Sequence, residues 1–292
     1  EWCFAFPLST GIKNTMTCTL TRFAPSPNGL LHLGHVFAAH VVWNRANQLG
    51  AGVLLRIEDT DFTRCRPEFD AAIIEDLDWL GFSWAGEVVR QSERKPLYDR
   101  AAEELKRMGL LYPCSCTRKD IEASWAGTPE FGPEGMRYRG TCKGKSLDMN
   151  QPLAWRLDMQ AALQRMGPLA VQTVEHGTID FRPLAEATGD VVLLRKDIGS
   201  SYHLSATIDD AEQNITHVIR GEDMRDATAV HRVLQSLLGL PVPIYHFHPL
   251  LTESDGRKLA KRDGADGVRM LRAQGRSAAE IRALATAHWS LA

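Results

Sequence analysis

The sequence predicts an α/β fold, a parallel sheet with crossover helices that is interrupted once by an insertion. Three observations carry this. Short apolar runs alternate with stretches of helical period. Glycines close those helical stretches, as expected of C-terminal caps. The alternation lapses from residue 111 to about residue 183, where turn residues dominate, and then resumes.

In order, Thr19 to Ala24 reads as a short strand, stopped by Pro25 and Pro27, with Asn28-Gly29 as a turn. A helix is predicted from Leu33 to Leu49, ended by Gly50. Gly52 to Glu58 contains a continuous apolar run, the pattern of a buried strand. Pro67 to Leu80 carries Phe69, Ala72, Ile73, Leu77 and Leu80 at helical spacing before Gly81. Arg94 to Met108 is another helix, closed by Gly109. Within the insertion, Leu153 to Leu157 and Thr178 to Arg182 are short β-like stretches. Asp190 to Lys196 and Thr216 to Arg220 are expected to resume the buried strands of the sheet. Asp226 to Leu238 is a helix ended by Gly239, Val242 to His248 a last strand, and Ser277 to His288 a closing helix.

With 44% hydrophobic and 24% charged residues, the composition is that of an ordinary soluble globular protein. The net charge of −2 excludes a global basic field, so any RNA contact must come from local patches. Arg118, Lys119, Arg137, Arg139, Lys143 and Lys145 in the insertion are candidates for phosphate contacts, and a solvated surface explains them equally well. No apolar run is long enough to span a bilayer. Of six cysteines only Cys114, Cys116 and Cys142 lie close together, which argues for a reducing, cytoplasmic setting and a metal rather than a disulfide framework. Residues 1–18 have neither a basic start nor a small-residue cleavage site, against a signal peptide; they are expected to be a disordered leader, with Met16 as the functional start.

Two distant segments carry the chemistry. The first is Arg22-Phe-Ala-Pro-Ser-Pro-Asn-Gly-Leu-Leu-His32-Leu-Gly34-His35. Its histidines fall at a helix start, where unpaired backbone N–H groups suit phosphate oxygens. Gly34 leaves no Cβ where a nucleotide would lie against the backbone. Imidazoles there can donate to phosphate oxygens as charge builds. A His-x-x-His pair also fits half of a metal site, although no third ligand is obvious nearby. The second segment is Lys258-Leu-Ala-Lys261-Arg262, in a glycine-flanked stretch with the composition of a mobile loop. Such a cationic loop can stabilise departing pyrophosphate. Alone, each segment has a plainer explanation, as a histidine-containing turn and a solvated charged loop.

Together the segments resemble the HIGH and KMSKS motifs of class I aminoacyl-tRNA synthetases, and the form of the first is specific to the glutamyl/glutaminyl branch. The resemblance extends through Arg56-Ile-Glu-Asp-Thr-Asp61 and His217-Val-Ile-Arg-Gly-Glu-Asp223. It implies a Rossmann-type doubly wound parallel sheet with an inserted zinc-containing α+β subdomain. It implies ATP binding with Mg²⁺ by His32, Gly34, His35, Lys258 and Lys261, with His32, His35 and Lys261 catalytic. It also implies a pocket for L-glutamate made by Arg22, Phe23, Ala24, Pro25, Ser26, Glu58, Tyr202 and Arg220. Arg22 suits the side-chain carboxylate, as a bidentate fork, and Glu58 suits the α-ammonium. The second motif departs from the family form, with Ala260 in place of the usual serine and Arg262 last.

Cys114, Cys116 and Cys142 supply three thiolates, whereas tetrahedral zinc needs four ligands. From residue types alone Tyr138, Asp120 and Asp148 compete for the fourth position. The pattern Cys-x-Cys followed by Tyr-x-x-x-Cys resembles the structural zinc site of the glutamyl-queuosine tRNA(Asp) synthetases, which selects Tyr138.

The expected organisation is a leader (1–18), the first half of the catalytic domain (19–110), the zinc-binding insertion (111–183), the second half (184–250), and the Lys-Leu-Ala-Lys-Arg loop with a short helical segment (251–292). The sequence ends soon after Arg262, too soon for a family anticodon-binding region. The resemblance thus implies a monomer that activates glutamate without tRNA and transfers it to queuosine in tRNA(Asp). Two alternatives stand beside it. One is a shortened glutamyl-tRNA synthetase acting at the tRNA 3′ end. The other is a non-catalytic zinc-containing module that binds RNA or a protein.

Overall fold

The computed structural model describes residues 18–250 and 267–287; the expectations for residues 1–17, the segment with Lys258 and Lys261, and the chain end fall outside the described residues. The first half runs β1 (Leu20–Phe23), α1 (Leu33–Leu49), β2 (Gly52–Ile57), α2 (Pro67–Trp79), β3 (Val89–Arg90) and α3 (Lys95–Arg107). The middle runs β4 (Leu111–Cys114), α4 (Arg118–Ala123), β5 (Phe131–Gly132), β6 (Gly135–Met136), β7 (Ala154–Leu157), α5 (Met159–Leu163), β8 (Ala170–Thr173), β9 (Gly177–Asp180), α6 (Arg182–Thr188), β10 (Val192–Arg195) and β11 (Gly199–Ser200). Then follow α7 (Tyr202–Glu212), β12 (His217–Gly221), α8 (Ala227–Leu238), β13 (Ile244–His248), α9 (Val268–Ala273) and α10 (Ala278–Thr286).

Strand β2 pairs in parallel with β1 and β3, and β12 pairs in parallel with β13. The two groups meet where Thr216 N–H donates to Leu20 O at 3.0 Å. Thr216 Oγ1 also accepts from Leu20 N–H at 2.9 Å. The combined order is therefore β3-β2-β1-β12-β13, with the reversal of strand order between β1 and β12. In open α/β sheets such a switch point leaves a crevice beyond the carboxyl ends of the strands, where ligands bind.

Two apolar layers cover the sheet. Phe23, Val53, Leu55, Ile57 and Ile219 pack with residues of α1, α2 and α10, including Val36, Ile73 and Ile281. On the opposite face Leu20, Leu54 and Val218 pack with residues of α3, α7 and α8, including Tyr98, Leu204 and Val230. Strand alternation then puts Arg22, Arg56 and Arg220 on this second face, each two residues beyond an apolar neighbour. Three arginines thus converge under α7 and α8 because of their register.

Helix α1 has its predicted bounds, and Gly50 ends it at φ 61°, where its N–H returns to Ala46 O and Asn47 O. The remaining predicted elements shift by a few residues at their ends. Two features differ from the sequence reading. Strand β10 does not rejoin the parallel sheet; it lies antiparallel to β7 and β11, in a sheet ordered β11-β10-β7-β4. Conversely β8 pairs in parallel with β13, so residues 170–173 belong to the larger sheet. An apolar run shows that a strand is buried but not the direction of its neighbour. Helix α7 carries no amphipathic signal, because Leu204 through Asp210 are all buried and no polar face remains.

Candidate active site

A cavity of about 1250 Å³ opens at the switch point. Arg22, Phe23, Ala24, Pro25, Ser26, His32, Gly34, His35, Glu58, Tyr202 and Arg220 all line it. Of the residues expected there, only Lys258 and Lys261 are absent from this list, since they lie outside the described residues. The flanks of their segment do reach the crevice. Leu250 lines the cavity, and Gly267 forms an antiparallel bridge with His32, with Val268 N–H donating to Leu31 O at 2.9 Å.

The two histidines cap α1. His32 Nδ1 accepts from Gly34 N–H at 3.1 Å, and His35 Nδ1 accepts from His32 N–H at 3.2 Å. Their rings lie 3.9 Å apart. Acceptance at both Nδ1 atoms puts the proton of each neutral ring on Nε2, which becomes the donor. Gly34 also has a local purpose in the cap. A Cβ there would lie 2.9 Å from His32 Cε1, so its absence lets the capping imidazole fold over the helix start.

Beneath the crevice is a charged network that sequence reasoning missed. Arg22 Nε donates to Asp210 Oδ1 at 3.0 Å, and Arg22 Nη1 to Ile219 O at 3.3 Å. Arg56, wholly buried, pairs with Asp210 at 2.9 Å and lies 3.8 Å from Glu58. Asp209 is held by Arg94 at 2.6 Å, Gln91 at 2.8 Å and Tyr98 at 2.8 Å. Burial would raise the Asp210 carboxyl, yet Arg22 and Arg56 hold it below its ordinary value. A partial signal existed in the two adjacent acids, Asp209 and Asp210, close to Leu204, Ala206 and Ile208. Buried acids require buried bases.

Arg220 differs from its neighbours. Its guanidinium is held by the Thr228 hydroxyl, by Tyr202 Oη at 3.5 Å and by His231 Nδ1 at 3.5 Å. All three partners are neutral, since burial and then Arg220 keep His231 well below its ordinary pKa. Among the described residues no carboxylate pairs with Arg220, although it is 7% exposed and its Nε has no partner. A buried cation without a counter-ion is costly unless an anion completes it. An anion entering the crevice would meet a guanidinium that no described carboxylate neutralises. Arg22 lines the same cavity and gives its Nε to Asp210.

Glu58 supplies the complementary charge. Burial, opposed by Arg56 and Arg22, pushes its carboxyl up to about 7. An ammonium group arriving beside it would draw it back to the ionised form. Arg22, Arg56, Arg94 and Arg220 therefore face Asp209, Asp210 and Glu58, a positive balance that suits a ligand with more carboxylates than ammonium groups.

The cysteine cluster lies at the far end of β4. Cys116 Sγ is 3.4 Å from Cys142 Sγ, and Tyr138 Oη is 3.4 Å from Cys114 Sγ and 3.5 Å from Cys116 Sγ. All three sulfurs lie within 4.8 Å of one another. A tetrahedral ion with metal–ligand distances of about 2.0 to 2.3 Å has O···S edges near ~3.5 Å and S···S edges near ~3.8 Å, so the donor set fits one. The rivals are engaged elsewhere: Asp120 caps α4 through Thr117, and Asp148 accepts from Asn150 and Gln151. Arg156 stacks on the Tyr138 ring at 3.9 Å and donates to Cys114 Sγ at 3.3 Å, which favours anionic donors.

Residues 19–287 match the model of the catalytic domain of class I tRNA synthetases (E and Q), and the chain belongs to that family of ligases. Among its relatives, glutamyl-Q tRNA(Asp) synthetase of Rhodobacter capsulatus is 47% identical over 274 residues, covering 91% of this chain and 99% of that protein. Glutamate–tRNA ligase 2 of Chelativorans sp. is 37% identical, covering 89% of this chain and 54% of that one. A crystal structure of a glutamate tRNA ligase from Elizabethkingia meningosepticum with its amino acid superimposes with TM-score 0.67 at 28% identity. It covers 84% of this chain, which spans about half (52%) of that longer one. Among the described residues no helix is long and apolar enough to cross a membrane.

Proposed function

We propose that the chain activates L-glutamate with ATP, without tRNA, and transfers the glutamyl group to the queuosine base of tRNA(Asp). The observation that carries the amino-acid assignment is the buried Arg220, unpaired by any carboxylate among the described residues and sharing a crevice with Glu58. Arg220 takes the side-chain carboxylate, with Arg22 close behind, and Glu58 takes the α-ammonium. Tyr202 fixes the Arg220 fork. Phe23, Ala24, Pro25 and Ser26 form the wall. The choice of acceptor rests on the relative from Rhodobacter capsulatus, matched over almost its whole length.

In the first step an oxygen of the α-carboxylate attacks the α-phosphorus of ATP, and the bond to the β-phosphate breaks with loss of pyrophosphate. His32 and His35, through Nε2–H, and the start of α1 stabilise the charge that develops on the phosphates. Lys258 and Lys261 are proposed to add to that charge stabilisation. When bound with ATP, Mg²⁺ would supply further neutralisation of the triphosphate charge. In the second step a queuosine hydroxyl oxygen forms the ester bond to the acyl carbon. The anhydride C–O bond breaks, and AMP leaves with the electron pair as the hydroxyl gives up its proton. Most of the acceleration comes from positioning and fixed charge.

Cys114, Cys116, Tyr138 and Cys142 are proposed to hold a structural Zn²⁺. When bound, the ion would cross-link an insertion with little core of its own.

The decisive experiment gives labelled glutamate and ATP to tRNA(Asp) with queuosine, the same tRNA without it, and tRNA(Glu). Label on the first alone supports the proposal. Label on tRNA(Glu) makes the chain a synthetase acting at the 3′ end. No label and no glutamate-dependent pyrophosphate exchange makes it a binding module.

A further inference from the structure

The helix behind Arg220 is polar where it meets the guanidinium, and it carries no acid there. Helix α8 places Thr228, His231 and Gln235 at the i, i+3 and i+7 spacing of one face. All three are buried, at 0%, 1% and 3% exposure. Thr228 Oγ1 accepts from Arg220 Nη2, and His231 Nδ1 lies 3.5 Å from Arg220 Nη1. Gln235 Nε2 donates to Tyr245 Oη at 3.3 Å, and the Arg220 guanidinium lies 5.1 Å from the Tyr245 ring.

Helix α7 treats the neighbouring arginines in the opposite way. Asp210 pairs with Arg22 at 3.0 Å and with Arg56 at 2.9 Å, and Asp209 pairs with Arg94 at 2.6 Å. The field of Arg220 reaches Glu134 on the β5–β6 turn, but Glu134 pairs with His203 at 3.4 Å. An aspartate on the inner face of α8 would supply the counter-ion that a buried guanidinium needs. Uncharged acceptors instead fix the direction of its N–H groups and leave the charge uncancelled. Glutamate and glutamine have nearly the same shape and differ in the charge at the end of the side chain. A pocket that separates them must read that charge.

We propose that Thr228 is a positioning residue that sets amino-acid specificity: with His231 beside it, it orients Arg220 without neutralising it, so that the crevice takes a side-chain carboxylate and rejects the amide of the same shape. Neither residue lines the cavity, so both act through Arg220. The proposal rests on the glutamate-activating function above and deepens it.

The test measures ATP–pyrophosphate exchange by the whole chain, with glutamate and with glutamine, for the parent, Thr228→Ser, Thr228→Val and Thr228→Asp. The parent should favour glutamate by at least a hundredfold in kcat/KM. Thr228→Ser keeps the hydroxyl and should stay within threefold of the parent. Thr228→Val keeps the volume and loses the acceptor; the KM for glutamate should rise about tenfold with kcat within threefold. Thr228→Asp should cut the preference for glutamate tenfold or more, because the guanidinium then has a counter-ion of its own. A merely structural role would lower the use of both amino acids alike and leave their ratio unchanged.

An unchanged preference in Thr228→Asp overturns the proposal. So does Thr228→Val with the parental KM, or Thr228→Ser as impaired as Thr228→Val, and these two results decide the matter even if Thr228→Asp does not fold. A parent that uses both amino acids equally also overturns it, while amino-acid activation stands. No exchange with either amino acid in the parent overturns the functional reading itself, and the role of Thr228 falls with it.

Discussion

Replacing Glu58 by glutamine separates what this residue costs from what it does. In the fold its carboxyl titrates at about 7 rather than 4.5. Between these values the folded chain holds more protons at this site than the unfolded chain, so the site loses stability as pH rises through that window. At about 1.4 kcal/mol per pH unit, the gap amounts to roughly 3 kcal/mol above pH 7. Glutamine does not titrate and nearly matches the protonated acid in shape. The variant should therefore equal the parent near pH 4.5 and exceed it at pH 8 by about 2 to 3 kcal/mol, read from denaturant midpoints. The same variant should lose most glutamate-dependent pyrophosphate exchange, because the α-ammonium has lost its counter-ion. In the parent, only about a tenth of the site is ionised one pH unit below 7. The apparent KM for glutamate should accordingly rise about tenfold at pH 6 relative to pH 8. A glutamine variant less stable than the parent at pH 8 would refute the reasoning, since Glu58 would then be a net structural partner of Arg56.

Arg220→Met should abolish glutamate use by at least a hundredfold in exchange while leaving the melting temperature equal or higher, because it removes a buried cation that no described carboxylate balances. A fall of several degrees would count against that account. Arg22→Ala should cost about 3 to 5 kcal/mol, since Asp210 loses one of its two buried cations; denaturation curves that match the parent would exclude it. Lys261→Ala should cut exchange at least tenfold with an unchanged circular dichroism spectrum, and an unaltered rate would remove Lys261 from the site. Cys142→Ser should lower the zinc content of purified protein, measured by elemental analysis, and undiminished zinc would remove that cysteine from the ligand set.

The first half of the catalytic domain was legible because its signals are local. Prolines and glycines punctuate it, and α1 is bounded by His32 and Gly50. The crevice residues could be named from the family resemblance, not from spacing alone. Their division of labour could not, because it depends on partners far along the chain. Arg22 meets Asp210 and Arg56 meets Asp209, contacts that only the packing of α7 creates. That helix was itself unreadable, since burial on every side erases the periodicity. The direction of β10 and the membership of β8 were hidden for a related reason. A short apolar segment specifies its own burial and is silent about its neighbours.

Strand β11 ends at Ser200, and after Ser201 the chain enters α7 at Tyr202, the hydroxyl that meets Arg220. The cysteine cluster closes the other margin of the same sheet, on β4. The middle of the chain is therefore no detachable cassette. Excising it and splicing α3 to α7 would remove the rail on which Tyr202 and the Asp209–Asp210 pair are laid down. Exchanging it between relatives would carry over a new phase angle for α7 along with the new cysteines. A chimaera built at this junction would disturb how Tyr202 meets Arg220 even where Arg22, Glu58 and Arg220 are kept.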